Sequence, residues 1–290
     1  MNADILLQAA VLGLMQGGVY AIMAAGLTVI YGVMKVVNFA HGEFITLGLY
    51  LTLTTSMLGL DPYATAPFVV AVVFILAAGI FRLSILPALD HPQINQMLIT
   101  IGISFVIIGM VQLIWGANNR VVPLSWARDA VELGPVRLTY TRAIAFLTAM
   151  VVAGAFWWGL NKTRFGIAVR AAAQDPASAR LCGINVRRAQ LITFGAGAAL
   201  AALAGVLMAP IFPMNPTIGV DLFLLPSFVI VVLGTMGNFP GALIGGLIIG
   251  TVEGVGGLLL GSSLRQLISL SIFVAILLVM PRGLFGGRSQ

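Results

Sequence analysis

Nine mostly apolar stretches follow one another along the 290 residues, and nearly all the charged residues fall between them. A hydrocarbon layer about 30 Å thick is crossed by about twenty such residues in a helix. In lipid every backbone N–H and C=O must find a partner within the protein, so a chain of this pattern is restricted to a bundle of membrane helices. The stretches are residues 5–33, 44–58, 67–86, 97–115, 140–160, 190–211, 222–236, 242–261 and 264–280. Two of them, 44–58 and 222–236, are short, and each lies beside an Asn-Phe pair, Asn38 with Phe39 and Asn238 with Phe239. Either reads as a half-span or a re-entrant piece. The expected fold is therefore an all-α polytopic membrane protein: one transmembrane domain over residues 1–290, with eight or nine transmembrane helices, some interrupted or re-entrant.

Charge sets the orientation. Residues 161–189 carry Lys162, Arg164, Arg170, Arg180, Arg187 and Arg188 against the single acid Asp175, which places this island in the cytoplasm by the positive-inside rule. Lys35, Arg82 and the tail from Arg282 to Arg288 fall on the same side, while Asp4 and the mixed loop 116–139, with Trp126, Arg128, Asp129 and Glu132, fall outside. An outer N-terminus and an inner C-terminus require an odd number of crossings, hence nine; eight would put the N-terminus inside. The net charge of +6 sits at span ends rather than on one solvated face, so it does not indicate nucleic acid. The single cysteine, Cys182, excludes an intrachain disulfide. The opening MNADILLQAA lacks a basic leader region, so the first apolar run reads as a retained span.

The basic island has internal signals. Asp175 followed by Pro176 is an N-cap and first-position pair, and Gly183 suits a C-terminal cap. This predicts a helix of about two turns over residues 176–182, approached through Ala171–Ala173 and offering the small side chains of Ala177 and Ala179 to a partner's groove. The island is either such a docking helix or an ordinary basic connector. The outer loop 116–139 reads as a solvated connector, a substrate contact or a partner surface.

Within the spans, Gly13, Gly17, Ala21 and Ala25 share one helix face, as do Gly246, Gly250 and Gly254. Such rows let helix backbones approach closely where lipid supplies no hydrophobic drive. With 34 glycines and 13 prolines the bundle is expected to be tight and its helices interrupted. Ionisable groups at membrane depth are functional candidates because their burial is costly. Glu253 is the clearest, either paired within the bundle, with Arg265 as a partner, or lining a path. His41 and Glu43, beside Asn38 and Gly42, are expected near the inner membrane face, as an interfacial polar knot or as ligands. Gln16, Tyr20, Thr100 and Ser104 are uncharged groups that could face a path.

Enzymatic signatures are missing. The two histidines, His41 and His91, form no metal-binding spacing, and no nucleophile elbow accompanies the serines. Lys162 precedes Thr163, but Asn161 and Phe156 stand where a phosphate-binding loop needs glycines. The chain is expected to hold no cofactor or metal and to hydrolyse no ATP.

Two segments carry a family resemblance: GLMQGGVYAIMAAGLTVIYGVMKVVNFAHGEFITLGLY from Gly13 to Tyr50, and RFGIAVRAAAQDPASARLCGIN from Arg164 to Asn185. The first resembles the N-terminal signature of the membrane permeases of branched-chain amino-acid ABC importers, the second their ATPase-docking segment. The run VVLGTMGNFPGALIGGLIIGTVE, from Val231 to Glu253, fits the same family. The resemblance implies a bacterial inner-membrane permease working with a second, related permease chain, two cytoplasmic ATP-binding subunits carrying ATP and Mg, and a periplasmic solute-binding protein. It implies coupling roles for Arg164, Gly166, Arg170, Asp175, Ala179, Gly183 and Ile184, and marks Asn38, Phe39, Ala40, His41, Gly42 and Glu43 as signature residues. Family relatives also carry urea, short amides or other small polar solutes. An ion-coupled carrier using Glu253, Glu43 and His41 is the alternative from another class. A short echo, NFAHG at Asn38–Gly42 against NFPG at Asn238–Gly241, marks corresponding breaks in two halves, or is chance.

Overall fold

A computed structural model describes residues 3–127, 129–261, 264–279 and 283–285. Each of the nine apolar stretches lies on a helical element. Helices α1 (Ala3–Met34), α5 (Gln93–Trp115), α6 (Tyr140–Lys162), α9 (Val186–Met208) and α11 (Phe239–Leu260) are long enough to span, as is the run from Ala66 to Ala88 that contains α3 (Ala66–Ile80) and α4 (Leu86–Ala88). Shorter are α2 (His41–Met57), α10 (Leu225–Leu233) and α12 (Arg265–Val279). Between α6 and α9 lie α7 (Arg164–Gln174) and α8 (Pro176–Leu181).

Two segments open into wide π-helical turns, Phe81–Ile85 and Gly219–Leu224. Each ends two residues before a proline, Pro87 and Pro226. A proline offers no N–H to the carbonyl four residues back and its ring crowds that carbonyl, so a widened turn relieves the clash.

The helices sort by burial. The most apolar stretch of α9 is 83% buried and that of α6 only 17%, which puts α9 at the centre and α6 at the rim. The tightest pairing is α1 against α11, antiparallel, with the two small-residue rows meeting as expected. A Cβ on Gly246 would sit 2.5 Å from the Ala21 backbone, and one on Gly254 2.7 Å from Gly13 Cα. At the other end of the ladder Ala25 and Val29 pack on Phe239, backed by Phe156 and Leu160. Gly246→Leu is expected to destabilise the protein by on the order of 3 kcal/mol through overpacking. The checks are the apparent Tm in detergent and accumulation in the membrane; an unchanged Tm would refute the ladder.

The all-α expectation needs one amendment. Within loop 116–139, β1 (Ala130–Leu133) and β2 (Val136–Thr139) form an antiparallel hairpin, turned by Gly134 at φ +62°. Gln8 of α1 clamps this hairpin, donating to the Arg137 carbonyl at 2.8 Å and accepting from the Arg137 N–H at 2.7 Å. Trp126 stacks on Tyr63 at 5.7 Å. The loop is thus pinned at Gln8 and Tyr63, while most of its described residues, Glu132 and Arg137 among them, stay exposed to solvent as expected of a connector. Arg128 lies outside the described residues. On the opposite, basic face the Leu284 N–H donates to the Leu233 carbonyl at 2.8 Å, so the segment 283–285 returns to the side on which α1 ends. Of the expected basic tail, Arg282 and Arg288 lie outside the described residues.

Candidate functional site

The two Asn-Phe breaks share a backbone design. Lys35 (φ +57°) and Thr235 (φ +69°) are the positive-φ non-glycine residues among those described, and each stands three positions before its asparagine, Asn38 or Asn238. Each asparagine then accepts a hydrogen bond from the start of the next helix: Asn38 Oδ1 from the Ala40 N–H at 3.1 Å, Asn238 Oδ1 from the Gly241 N–H at 3.2 Å. The breaks also touch, with Gly32 packed against Gly237. The echo thus extends from the sequence to the backbone.

After the first break the chain runs back into the bundle before α2 begins. His41 Nε2 hydrogen-bonds the Met23 carbonyl at 2.9 Å, and Met23 lies eleven residues before the end of α1. That is about three turns, or roughly 16 Å, in from the basic face. The expectation that His41 and Glu43 sit at the inner membrane face is corrected: six non-helical residues carry the start of α2 to membrane depth.

There the start of α2 meets the second wide turn. A Cβ on Gly42 would lie 2.5 Å from the Gly219 carbonyl oxygen, so the two backbones are in direct contact. The Gly219 N–H donates to Thr46 Oγ1 at 3.1 Å. Helix α5 closes the third side: Thr100 Oγ1 accepts from the Phe39 N–H at 3.2 Å, and Ser104, one turn further, faces Glu43 together with Thr46. Phe39 stacks on Phe228 of α10 at 5.5 Å.

Asn38, His41 and Glu43 are each fully buried. Asn38 Nδ2 and His41 Nδ1 have no hydrogen-bond partner among the described residues, and both Glu43 carboxylate oxygens, though faced by the Thr46 and Ser104 hydroxyls, are outside full hydrogen-bond geometry with any donor there. Burying a polar group without a partner costs several kcal/mol on the order of magnitude. A cluster of such atoms, beside two helix starts whose dipoles favour an anion, is prepared to receive donors and acceptors from elsewhere.

Gln16, Tyr20 and Glu253 form a separate group. Gln16 Nε2 donates to Tyr20 Oη at 2.7 Å, Tyr20 Oη donates to Glu253 Oε2 at 3.0 Å, and Ser269 Oγ donates to Glu253 Oε1. Glu253 thereby ties α1, α11 and α12 together. The expected partner Arg265 has a side chain outside the described residues.

The basic island is more ordered than its sequence suggested. The alanine-rich approach to Asp175 is itself a helix, α7, capped by Thr163 Oγ1 accepting from the Gly166 N–H at 3.1 Å. Gly166 lets α7 pass the Leu160 carbonyl with no room for a Cβ. Val169 and Ala172 are buried on this side of α7, which packs on α9 and α1. Asp175 then ends α7 and caps α8, its Oδ1 accepting from the Ala177 N–H at 2.9 Å and its Oδ2 from Ser178 Oγ. These donors hold its carboxyl below the usual carboxylate range. The cap is complete at neutral pH and is lost only as acid carries the pH down through that lowered value. Gly183 (φ +80°) closes α8, with the Gly183 N–H bonded to the Arg180 carbonyl and the Ile184 N–H to the Ala179 carbonyl, both at 3.0 Å. This is a Schellman ending.

The expected coupling residues divide by exposure. Ala179 is 4% exposed and Gly166 is buried, so both face their own chain. Arg164, Arg170, Asp175 and Gly183 are exposed, and Ile184 is half-buried against the core. The sequence reading missed Leu181, 90% exposed at the end of α8. A large aliphatic side chain beside Arg180, in a short capped helix otherwise built of proline, alanine and serine, was its signal.

The family profile described as "branched-chain amino acid transport system / permease component" matches residues 9–280. The chain belongs to this permease family. It is 33% identical to the high-affinity branched-chain amino acid transport system permease protein LivH of Escherichia coli strain K12, over 94% of this chain and 93% of that one. It is 31% identical to the corresponding permease protein BraD of Pseudomonas aeruginosa, over 97% and 95%. The ribose import permease protein RbsC of Escherichia coli strain K12 is 28% identical, over 91% and 82%. No solved structure matches. The permease thus brings Asn38, His41, Gly42, Glu43, Thr100 and Ser104 into one buried cluster, joins Gln16, Tyr20 and Glu253 in another, and presents α8 on the basic face. Among the described residues it holds no group of three or more His, Cys, Asp or Glu that could bind a metal ion.

Proposed function

We propose that this permease passes branched-chain amino acids through the cluster at Asn38–Glu43, in a bacterial inner membrane with its N-terminus outside and the basic face in the cytoplasm. The observation that carries the reading is the buried polar set, not fully hydrogen-bonded, where α2 and the Gly219–Leu224 turn meet. A zwitterion complements it. The helix starts favour a carboxylate, Glu43 accepts from an ammonium group, and Phe39 with Phe228 offers an apolar wall to an aliphatic side chain. The names of LivH and BraD agree with that substrate class, and the name of RbsC extends the fold's use to another small polar solute. Urea or a short amide would satisfy the same polar atoms but leave the aromatic pair unused.

ATP hydrolysis falls to two cytoplasmic subunits, docked through α8, with a second permease chain completing the path and a periplasmic binding protein delivering solute. The capped, exposed α8 and the missing phosphate-binding loop support this division. The test is uptake of labelled leucine, with labelled urea alongside, by proteoliposomes holding the assembled complex. Leucine uptake requiring ATP and the binding protein, and indifferent to ionophores, is expected. Uptake by the permease alone under a proton or sodium gradient would replace the reading with an ion-coupled carrier through Glu43 and His41.

A further inference from the structure

On the basic face a cavity of about 520 Å³ opens between the end of α1, the end of α6, α7 and the second break. Its walls carry Lys35 and Arg170 and no acidic residue. The Lys35 ammonium lies over the Tyr31 ring, with Nζ 5.6 Å from its centroid, and Arg170 uses one donor on the Leu160 carbonyl. A guanidinium has five N–H donors, and neither cation has a carboxylate partner among the described residues.

One flank of the wall is apolar and aromatic, with Trp157, Leu160 and Phe239, and the neutral polar residues Asn161, Gln174 and Asn238 also line the cavity. Trp157 and its neighbour Trp158 are 46% and 60% exposed on the rim helix, at the end where tryptophan marks the lipid–water boundary. Lys35 is also held in the left-handed region, which L-residues other than Gly, Asn and Asp seldom adopt. The fold accepts that strain and keeps a cation at the spot.

We infer that this cavity binds the phosphate headgroup of an anionic phospholipid from the leaflet on the basic face, with an acyl chain along Trp157 and Leu160. Unpaired cations at headgroup level select the charge. The apolar wall continuing into the hydrocarbon selects a lipid over a free phosphate. The site is distinct from the Asn38–Glu43 cluster and does not depend on which solute is carried.

The test uses the assembled complex in phosphatidylcholine vesicles containing an equal minor fraction of either dibrominated phosphatidylglycerol or dibrominated phosphatidylcholine. Bromine quenches tryptophan on contact. Phosphatidylglycerol is expected to quench more, and the excess to vanish in Trp157→Phe. In Lys35→Asn, which keeps the left-handed preference without the charge, the preference should fall roughly fivefold, and Lys35→Arg should restore it. If Lys35→Asn does not assemble, Gln174→Glu, which adds a negative charge to the same wall, should lower the preference instead. Equal quenching by the two lipids, or an excess untouched by these charge changes, overturns the proposal. Abolition of the excess by inorganic phosphate would assign the site to a free anion and equally overturn it.

Discussion

Leu181→Asp is expected to leave the permease inserted and assembled with its sister chain while abolishing the solute-stimulated ATPase activity of the complex. Leu181 is 90% exposed on a six-residue helix whose two ends are fixed by Asp175 and Gly183, so the side chain gains nothing from its own fold. A buried apolar anchor at a protein interface is commonly worth 2 kcal/mol or more. A carboxylate in its place must also be desolvated, giving a loss of docking of roughly 30-fold or greater. Co-purification of the ATPases and their stimulation by the loaded binding protein both report on it. Leu181→Met, which keeps an apolar side chain of similar volume, should retain most of the activity. Normal stimulation in the aspartate variant would move the coupling contact elsewhere on the basic island.

The second large effect lies at the opposite pole of the mechanism. Gly219→Val should reduce solute uptake by more than an order of magnitude with little change in ATPase docking. The added side chain would run into the Gly42 carbonyl and Thr46 Oγ1. Overpacking of this kind costs about 1–3 kcal/mol, equivalent to roughly 5- to 150-fold in the population of this conformation. Gly42→Ala, blocked from the other side by the Gly219 carbonyl at 2.5 Å, should give the same phenotype. The paired measurement is initial uptake rate against solute-stimulated ATPase activity. Parent-level uptake in both variants would show that the meeting of the two turns is not on the route.

The helical elements were legible because lipid imposes one length scale: a run of about twenty apolar residues has few other options. The ladder of Gly13, Gly17, Gly246 and Gly250 was legible because small residues every four positions have one use in a membrane helix. The depth of His41 was not. It depends on residues 35–40 running back into the bundle, which rests on a single left-handed lysine that no periodicity announces. The wide turns before Pro87 and Pro226 were hidden for a related reason, since a proline in a span can also be absorbed by a kink. Within the basic island the caps at Asp175 and Gly183 could be read from local chemistry, whereas the inward turn of Ala179 is set by how α8 rests on α9. Alanine carries no mark of which way it faces. Leu181 could have been found by asking why a short capped helix of mostly small residues keeps one large aliphatic side chain. The hairpin of 130–139 was obscured because its strands, four residues each, are shorter than any hydrophobic alternation can establish.

The α1–α11 ladder has a mechanical corollary. Its contacts are backbone against backbone, so no side-chain rotamers can repack to let one helix slide along the other. A sideways shift of even half an ångström would either collide or open a gap that lipid cannot enter. The pair therefore behaves as one rigid unit, a rail rather than two sliding helices. The bundle's second helix obeys the same rule: α2 meets α9 backbone to backbone, Gly48 on Ala202 and Gly205 on Ile45, so α2 and α9 form a second such rail.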